Sequence, residues 1–261
     1  PLPAIHGLCE DESVLGTPFF VMEMVEGRIF WDATFPDVPR DARPDYFAAM
    51  NGVLAQLHGV DAEAVGLGDY GRPGNYFARQ IARWSKQYLA DEEAGRNADM
   101  DALVEWLPEN IPPGEETAIV HGDLRCDNMI FAPDQPRVIA VLDWELSTLG
   151  HPYADLSYQC MQWRLPHESG FRGLGGLDRR SLGLPSEEEY VEAYCRRRGI
   201  DSIPAWTFCL AFSFFRLAAI CQGVYKRALD GNASNPERAR TYGQAVKLLA
   251  GLAVERIEKG N

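Results

Sequence analysis

The feature that most constrains this chain is a change in the spacing of its apolar residues near the middle of the sequence. On both sides, apolar residues recur every three to four positions, as in amphipathic helices. In the middle, Pro112-Pro113-Gly114 interrupts that pattern, and three apolar runs typical of β-strands follow at residues 118–120, 128–132 and 137–142. Pro133-Asp134-Gln135-Pro136 separates the last two runs, and this turn composition predicts a β-hairpin.

The flanking sequence predicts a mainly helical chain. Ser186 and Glu189 have the spacing of a capping box, which predicts the start of one helix. The apolar stretch at 205–220 is shorter than a membrane span of roughly 18–20 residues and carries Arg216, so we expect a buried core helix. The predicted elements are a strand at residues 19–25 and helices around residues 47–57, 77–88, 100–107, 186–198, 204–231 and after Pro236.

Polar side chains concentrate on the predicted three-strand insert. The segment His121-Gly122-Asp123-Leu124-Arg125-Cys126-Asp127-Asn128 enters the hairpin, and Asp143-Trp144-Glu145 leaves it. If the two strands pair across their turn, Asp143 returns to the neighbourhood of Asn128. Carboxylate and amide oxygens are ligands that Mg²⁺ accepts in proteins. We therefore expect Asn128 and Asp143 to hold one metal ion, with Asp123 within reach of the same centre.

The spacing from His121 to Asn128, His-x-Asp-x-x-x-x-Asn, matches the catalytic loop of kinases. Phosphoryl transfer needs a carboxylate that orients the attacking hydroxyl and accepts its proton, and Asp123 has the position for it. His121 is expected to hold the loop by packing and hydrogen bonding. Asp155 is expected to accept backbone N–H bonds from the loop. Asp127 is interpreted as a turn residue, and the role of Glu145 stays open.

At these residues the sequence resembles the aminoglycoside phosphotransferase and choline kinase superfamily. The resemblance rests on HGDLRCDNMIF and VIAVLDWELSTLGHPYADLSY, with support from VMEMVEGRIFWD. More narrowly, DWELSTLGHP and FSFFRLAAICQGVYKRAL are similar to phosphotransferase-type domains fused to or encoded beside acyl-CoA dehydrogenases. The resemblance implies an α+β, protein-kinase-like fold: a mostly helical large lobe, a small β-hairpin insert and a remnant of the N-terminal strand lobe.

The resemblance also implies cofactors and roles. The cofactors are ATP and Mg²⁺, with Asp123 as catalytic base and Asn128 and Asp143 as magnesium ligands. The segment Glu23, Met24 and Val25 becomes the hinge that holds adenine, through the Glu23 carbonyl and the Val25 N–H. His121 and Asp155 stay supporting residues.

The implied domains are residues 1–27, a remnant of the N-terminal lobe with the hinge, and residues 28–261, the helical lobe with the substrate site. Such enzymes also have a glycine-rich loop and a strand lysine on the phosphates. Nothing upstream of Phe19 supplies these, and the first lysine is Lys86. We expect part of a longer active protein, and the alternative is a degenerate member of the family.

Three functions are compatible with these residues. The first is transfer of the ATP γ-phosphate to a hydroxyl of a small metabolite, either aminoglycoside-like or hydroxyacyl-type. The second is a catalytically inactive kinase-fold binding module. The third is a metal-dependent hydrolase that uses Asp123, Asp127 and Asp143, and no histidine set completes it. A net charge of -13 mildly favours a cationic acceptor, whereas Arg172, Arg179 and Arg180 would suit an anionic one.

The amino-acid composition limits the kinds of partner that we expect this chain to bind. The acidic balance argues against nucleic-acid and anionic-membrane binding, which usually need a basic surface. Six cysteines lie far apart with no CxxC pair, which indicates reduced thiols and a cytoplasmic protein. The expected partners are a hydroxylated small molecule and an acyl-CoA dehydrogenase, as partner or fusion.

Overall fold

The computed structural model describes residues 1–232 and 235–260, without the side chains of Glu92 and Arg238. Helices are the main regular structure, and the strands form three two-stranded antiparallel sheets in the described part of the chain. The elements in chain order are β1 (Ile5–Cys9), α1 (Glu12–Leu15), β2 (Phe19–Met22), α2 (Arg43–His58), α3 (Tyr76–Ala90), α4 (Ala98–Glu109), β3 (Ala118–Val120), β4 (Met129–Phe131), β5 (Val138–Val141), β6 (Thr148–Gly150), α5 (Pro152–Cys160), α6 (Glu187–Arg198), α7 (Trp206–Leu229) and α8 (Pro236–Lys259).

Helix α7 is the centre of the hydrophobic core. It packs against α3, α4, α5 and α8, and Phe212, Phe214 and Phe215 on it have no exposed surface. Its length and composition would also suit a membrane span, and 72% of its most apolar window is buried inside the protein. The predicted core helix is therefore present. Its burial, rather than the length used in the prediction, distinguishes it from a span.

The helix predictions are confirmed at their ends as well as in their interiors. At the start of α6 the Glu189 N–H donates to Ser186 Oγ (3.1 Å), and the Ser186 N–H donates to Glu189 Oε2 (2.8 Å). This reciprocal pair is the predicted capping box. Pro44 lies in the first turn of α2, where its missing N–H costs no helical hydrogen bond.

The predicted β-hairpin is confirmed, but the three-strand insert is wrong. Strands β4 and β5 pair with Met129 opposite Val141, and the Ala132 N–H donates to the Arg137 carbonyl at 2.8 Å. Strand β3 does not join them. It pairs with β6, which has only three residues, one of them a glycine, and so gives no strand signal of its own.

The N-terminal strand has a partner that the sequence did not reveal. Strand β2 pairs with β1, with Cys9 opposite Phe19 and Leu8 opposite Phe20. The strand predicted at residues 19–25 is therefore present as β2, and its pairing with β1 was not predicted. Most side chains of the hairpin remain in solvent: Leu8 is 67% exposed and Phe20 59%. Backbone pairing, rather than a core of its own, holds this hairpin together.

A close backbone contact joins the N-terminal hairpin to the helical lobe. Arg28 and Phe131 exchange two backbone hydrogen bonds of 2.8 Å, so the chain after the hairpin lies along the outer edge of β4. Gly27 allows this approach, because a Cβ atom there would lie 2.4 Å from the Phe131 carbonyl oxygen and from Ile130 Cγ2. The segment predicted as a hinge therefore leads directly onto the hairpin that enters and leaves the candidate metal site.

Candidate active site

A buried carboxylate holds the loop that begins at His121. Asp155, in the first turn of α5, accepts the backbone N–H groups of His121 (2.6 Å) and Gly122 (2.7 Å). His58 Nε2 lies 3.4 Å from the same carboxylate, and His58 Nδ1 lies 2.8 Å from the Tyr194 hydroxyl. Burial disfavours the charged carboxylate, but the bonds from His58 and the two N–H groups lower the pKa of Asp155 below its ordinary value.

Gly122 lets the loop turn where it meets that carboxylate. Its φ is +87°, and a Cβ atom there would lie 2.7 Å from the Leu146 carbonyl oxygen. Both the conformation and the space favour glycine. The His-Gly-Asp sequence therefore has a structural reason as well as a chemical one.

His121 ties the loop to the end of the β4–β5 hairpin. Its side chain is fully buried and packs against Trp144 in a tilted arrangement, with 4.7 Å between ring centroids. The Asp123 N–H donates to His121 Nδ1 (3.2 Å), so the ring proton lies on Nε2, which donates to the Leu142 carbonyl (2.8 Å). A ring with both nitrogens engaged is a support for the loop and has no free position for a base.

Asp123 and Asn128 contact one another. Asn128 Nδ2 donates to the Asp123 carbonyl at 2.8 Å and lies 3.3 Å from Asp123 Oδ2. These contacts commit the amide nitrogen of Asn128, so its oxygen is the atom left for a cation. Asp123 Oδ1 is buried without a hydrogen-bond partner, although Arg125 Nε lies 3.2 Å away. The Asp123 carboxylate is thus oriented by Asn128 and by the Arg125 ion pair, which leaves hydrogen-bonding capacity for a substrate hydroxyl.

Asp143 lies next to Asn128, as the hairpin predicted. The Leu142 N–H donates to the Asn128 carbonyl at 2.9 Å, which fixes the two ends of the hairpin side by side. Asp143 itself is exposed and has a left-handed backbone, with φ 66° and ψ 55°. Strain of this kind in a residue other than glycine is common at functional sites. An exposed carboxylate beside a free amide oxygen fits the oxygen-ligand preference of Mg²⁺.

Asp127 is engaged by Arg125 rather than free. The Arg125 guanidinium lies 2.9 Å from Asp127 Oδ2 and also faces Asp123. Burial raises the pKa of Asp127, and Arg125 opposes that rise. In the described part of the chain, no three histidine, cysteine, aspartate or glutamate side chains are placed to share a metal ion. This arrangement disfavours the hydrolase alternative, which needs Asp127 as a ligand.

A small cavity of about 100 Å³ opens beside the catalytic loop. Tyr158 and Gln159, from the same helix as Asp155, line it together with Arg125. Sequence reasoning missed both residues. Their spacing of three and four positions from Asp155 places them on one face of α5, and that spacing was the available signal. His58 and Tyr194 were also missed, because nothing local marks their contact with the loop.

The predicted hinge is exposed and lies next to β1. The Glu23 N–H donates to the Ala4 carbonyl (2.8 Å), and the Ala4 N–H donates to Glu23 Oε2 (3.1 Å). Within the described residues, no hydrogen bond engages the Glu23 carbonyl or the Val25 N–H, the two groups expected to hold adenine. Met24 is 82% exposed. Glu145 is also exposed, in a short turn of 3₁₀-helix.

These features define a class before any relative is considered. The lobe contains a loop fixed on a buried aspartate, a hairpin that returns a second aspartate and an N-terminal strand pair beside that hairpin. These parts are typical of a kinase-like phosphotransferase. Comparison with known families agrees: the model of APH, the phosphotransferase enzyme family, matches residues 1–212. The chain belongs to this family.

Curated relatives connect the chain to larger proteins. It is 46% identical over 254 residues to mouse acyl-CoA dehydrogenase family member 10, covering 97% of this chain and 24% of the relative. It is 44% identical over 239 residues to human acyl-CoA dehydrogenase family member 11, covering 91% and 30%. The chain thus spans about a quarter to a third of these relatives. The expected similarity to domains associated with acyl-CoA dehydrogenases is confirmed.

Solved structures confirm the kinase-like α+β fold. A crystal structure from Ralstonia eutropha, whose name places it among aminoglycoside phosphotransferases, is 47% identical with a TM-score of 0.93 and covers 100% of this chain and 79% of its own. A ternary complex of aminoglycoside phosphotransferase APH(4)-Ia with AMP-PNP and hygromycin B is 16% identical with a TM-score of 0.58, covering 95% and 77%. The second shares the fold only.

Proposed function

We propose that this chain is the catalytic lobe of a small-molecule kinase that transfers the ATP γ-phosphate to a hydroxyl of a metabolite. The observation that carries the proposal is the joint geometry of Asp123, Asn128 and Asp143 on one fixed loop and hairpin. Membership of the phosphotransferase family and the AMP-PNP complex of a protein with the same fold support the use of a nucleotide.

Each residue has a separate task in this proposal. Asp123 orients the acceptor hydroxyl and accepts its proton on a carboxylate oxygen. The Asn128 amide oxygen and the Asp143 carboxylate would hold Mg²⁺, which supplies charge neutralisation on the phosphates. Asp155 and His121 keep the loop in place through the backbone bonds described above. Positioning and electrostatics, rather than covalent chemistry, account for catalysis in this class.

The hinge completes the nucleotide site in the proposal. The Glu23 carbonyl and the Val25 N–H would bind the edge of adenine, and Met24 between them would face the cleft. Residues 1–27 would then belong to the small lobe and its hinge, and residues 28–261 to the large lobe. A related fold has been crystallised with GDP, so GTP is the natural comparison for ATP.

The acceptor is proposed to be aminoglycoside-like or hydroxyacyl-type. The names of the relatives favour the hydroxyacyl-type and an acyl-CoA dehydrogenase as partner or fusion. We also propose a cytoplasmic location, which agrees with six unpaired cysteines, five of them buried.

A phosphotransfer assay tests the proposal. Labelled ATP or GTP with Mg²⁺ is offered with candidate acceptors, and the product is identified by mass spectrometry. Removing a general base costs about 10²–10⁴-fold in rate, so Asp123→Asn should lose activity on that scale while Asp134→Asn, in the hairpin turn, should not. Equal turnover by Asp123→Asn and wild type would show that Asp123 is not the base. Absence of transfer with every acceptor would favour the inactive binding module.

A further inference from the structure

The cavity beside the catalytic loop contains hydrogen-bond donors that have no partner. Gln159 lines it and is only 3% exposed, and its amide nitrogen Nε2 is buried without a hydrogen bond. The other end of the same amide is occupied, because the Tyr190 hydroxyl donates to Gln159 Oε1. Gln162 lines the same cavity, and its Nε2 is also buried without a hydrogen bond. Two buried donors left open next to one cavity are costly unless a ligand or an ordered water satisfies them, and a ligand oxygen could replace that water.

The charges around this cavity have the sign that attracts oxygen anions. Arg125 and Arg172 line it, and the guanidinium of Arg216 lies 5.5 Å from the ring centroid of Tyr158, another lining residue. Arg216 is 5% exposed, and its Nε has no hydrogen-bond partner. The one lining carboxylate, Asp127, is already paired with Arg125. The net charge of -13 therefore does not describe this pocket.

The cavity is next to the proposed catalytic residue. Arg125 lies 3.2 Å from Asp123, and Tyr158 is also its neighbour. Burial and the Asp123 charge raise the pKa of Tyr158, so its hydroxyl stays protonated and can donate. Apolar surface from Phe171 and Leu217 completes the lining, and Trp31 lies 71% exposed at the same cavity.

We infer that this cavity binds a carbonyl or carboxylate oxygen of the acceptor, with the Gln159 amide as the residue that selects it. The inference rests on the proposed function, since it places that oxygen near the hydroxyl offered to Asp123. The acceptor is a hydroxylated molecule with an acceptor-rich or anionic group and an apolar segment. Polycationic aminocyclitols do not match, because the pocket has no unpaired carboxylate to hold an ammonium group.

Binding to the full chain, measured without nucleotide, tests this inference. The probes are hydroxyhexanoates with the hydroxyl at carbon 3, 4 or 5, each compared with the diol and the amino alcohol of the same skeleton, and hygromycin B. Ligand-observed NMR titration gives each Kd. Hydroxy acids should bind roughly tenfold or more tightly than the matched amino alcohols, the difference that one or two charge-assisted hydrogen bonds supply.

Two variants test whether the residues that line the cavity are responsible for hydroxy-acid binding. Gln159→Glu keeps an acceptor for the Tyr190 hydroxyl but replaces the open donor with an anion, so hydroxy-acid binding should weaken roughly tenfold or more. Arg172→Asn suits the positive φ of that residue (+48°) and removes one guanidinium, so it should weaken the acids selectively. Gln135→Glu, in the hairpin turn, is the matched control and should change nothing.

The outcomes test the assignment of the acceptor pocket separately from the proposed kinase activity. Preferential binding of the amino alcohols or hygromycin B, failure of every hydroxy acid to bind, or unchanged acid binding by a folded Gln159→Glu protein would overturn the inference. If the acids bind as expected and no phosphate is transferred, the pocket assignment stands and the proposed kinase activity fails. If transfer occurs with amine-bearing acceptors in preference, the activity stands and the pocket assignment fails.

Discussion

The region around the catalytic loop and the N-terminal β1–β2 hairpin are stabilised in different ways. Around the catalytic loop, His121 is fully buried, its N–H donates to the Asp155 carboxylate, and its ring donates to the Leu142 carbonyl. The β1–β2 hairpin exposes Leu8 and Phe20, and the chain on either side of it is bonded to the large lobe through the backbone of Pro1 and Arg28. The large lobe therefore carries its catalytic geometry in its core, whereas the hairpin depends on backbone pairing.

The largest predicted effect removes the anchor of the loop. Asp155→Ala leaves two N–H groups and His58 without their buried partner, so it should destabilise the chain by about 3–5 kcal/mol. Chemical denaturation followed by tryptophan fluorescence measures the loss. Asp134→Ala, in the exposed hairpin turn, is the control. A loss below 1 kcal/mol for Asp155→Ala would mean that the loop does not depend on this carboxylate.

The second prediction concerns pH and the helix that carries Asp155. His151 caps α5 by accepting the Tyr153 N–H on Nδ1, and burial lowers its pKa from 6.5 to about 4. A depressed histidine pKa means that the unfolded chain binds the proton first. Stability is therefore complete above pH 6.5 and falls as the pH drops towards about 4, by up to roughly 1.4 kcal/mol per pH unit.

The variant His151→Asn keeps a capping acceptor but cannot titrate, so it should flatten this part of the stability profile. Thermal midpoints measured from pH 7.5 to pH 4.5 test it. Protonation of Asp155 does not contribute in this pH range. Because its pKa is lowered, the stability that it supplies is lost only below about pH 3.8, the ordinary carboxyl value. An equal slope in His151→Asn and wild type would contradict the assignment.

The third prediction compares two glycines of the N-terminal segment, one at its contact with the large lobe and one in the exposed hairpin. Gly27→Ala puts a Cβ atom 2.4 Å from the Phe131 carbonyl oxygen and should cost about 1–3 kcal/mol, as overpacking does. Gly7→Ala, in β1, meets nothing within 4 Å and should change little. Equal effects of the two substitutions in denaturation experiments would remove the distinction between the regions.

The smallest effect is predicted on the hairpin surface. Phe20→Ser replaces an exposed aromatic side chain, so the free energy of unfolding should change by less than about 0.5 kcal/mol. The matched buried change, Phe131→Ser, should cost about 3–5 kcal/mol. A large effect of Phe20→Ser would show that the hairpin surface is covered in solution.

The parts of the fold that were predictable have local signals. The β4–β5 hairpin follows from its proline-flanked turn, the start of α6 from Ser186 and Glu189, and α7 from its continuous apolar sequence. The Asn128–Asp143 neighbourhood follows from the hairpin alone. Each of these needs only residues close in sequence, which is where pattern reasoning is strongest.

The parts that were missed depend on distant partners. Strand β6 has three residues and is a strand only because β3 lies beside it. His58 contacts Asp155 across 97 residues, and the exposed composition of β1 gives no alternation of apolar and polar side chains. Gln159 could be found from its spacing to Asp155, but its open amide nitrogen is visible only in the packed cavity.

The two hydrogen bonds between Arg28 and Phe131 make the hinge an extension of the β4 edge. Residues that would contact a nucleotide base are therefore joined by backbone hydrogen bonds to the hairpin that would hold its metal, and Gly27 is the tight contact between the two. A second backbone bond, from the Val141 N–H to the Pro1 carbonyl (3.1 Å), ties the same N-terminal segment to β5. The proposed base and metal positions are therefore joined through both strands of one hairpin.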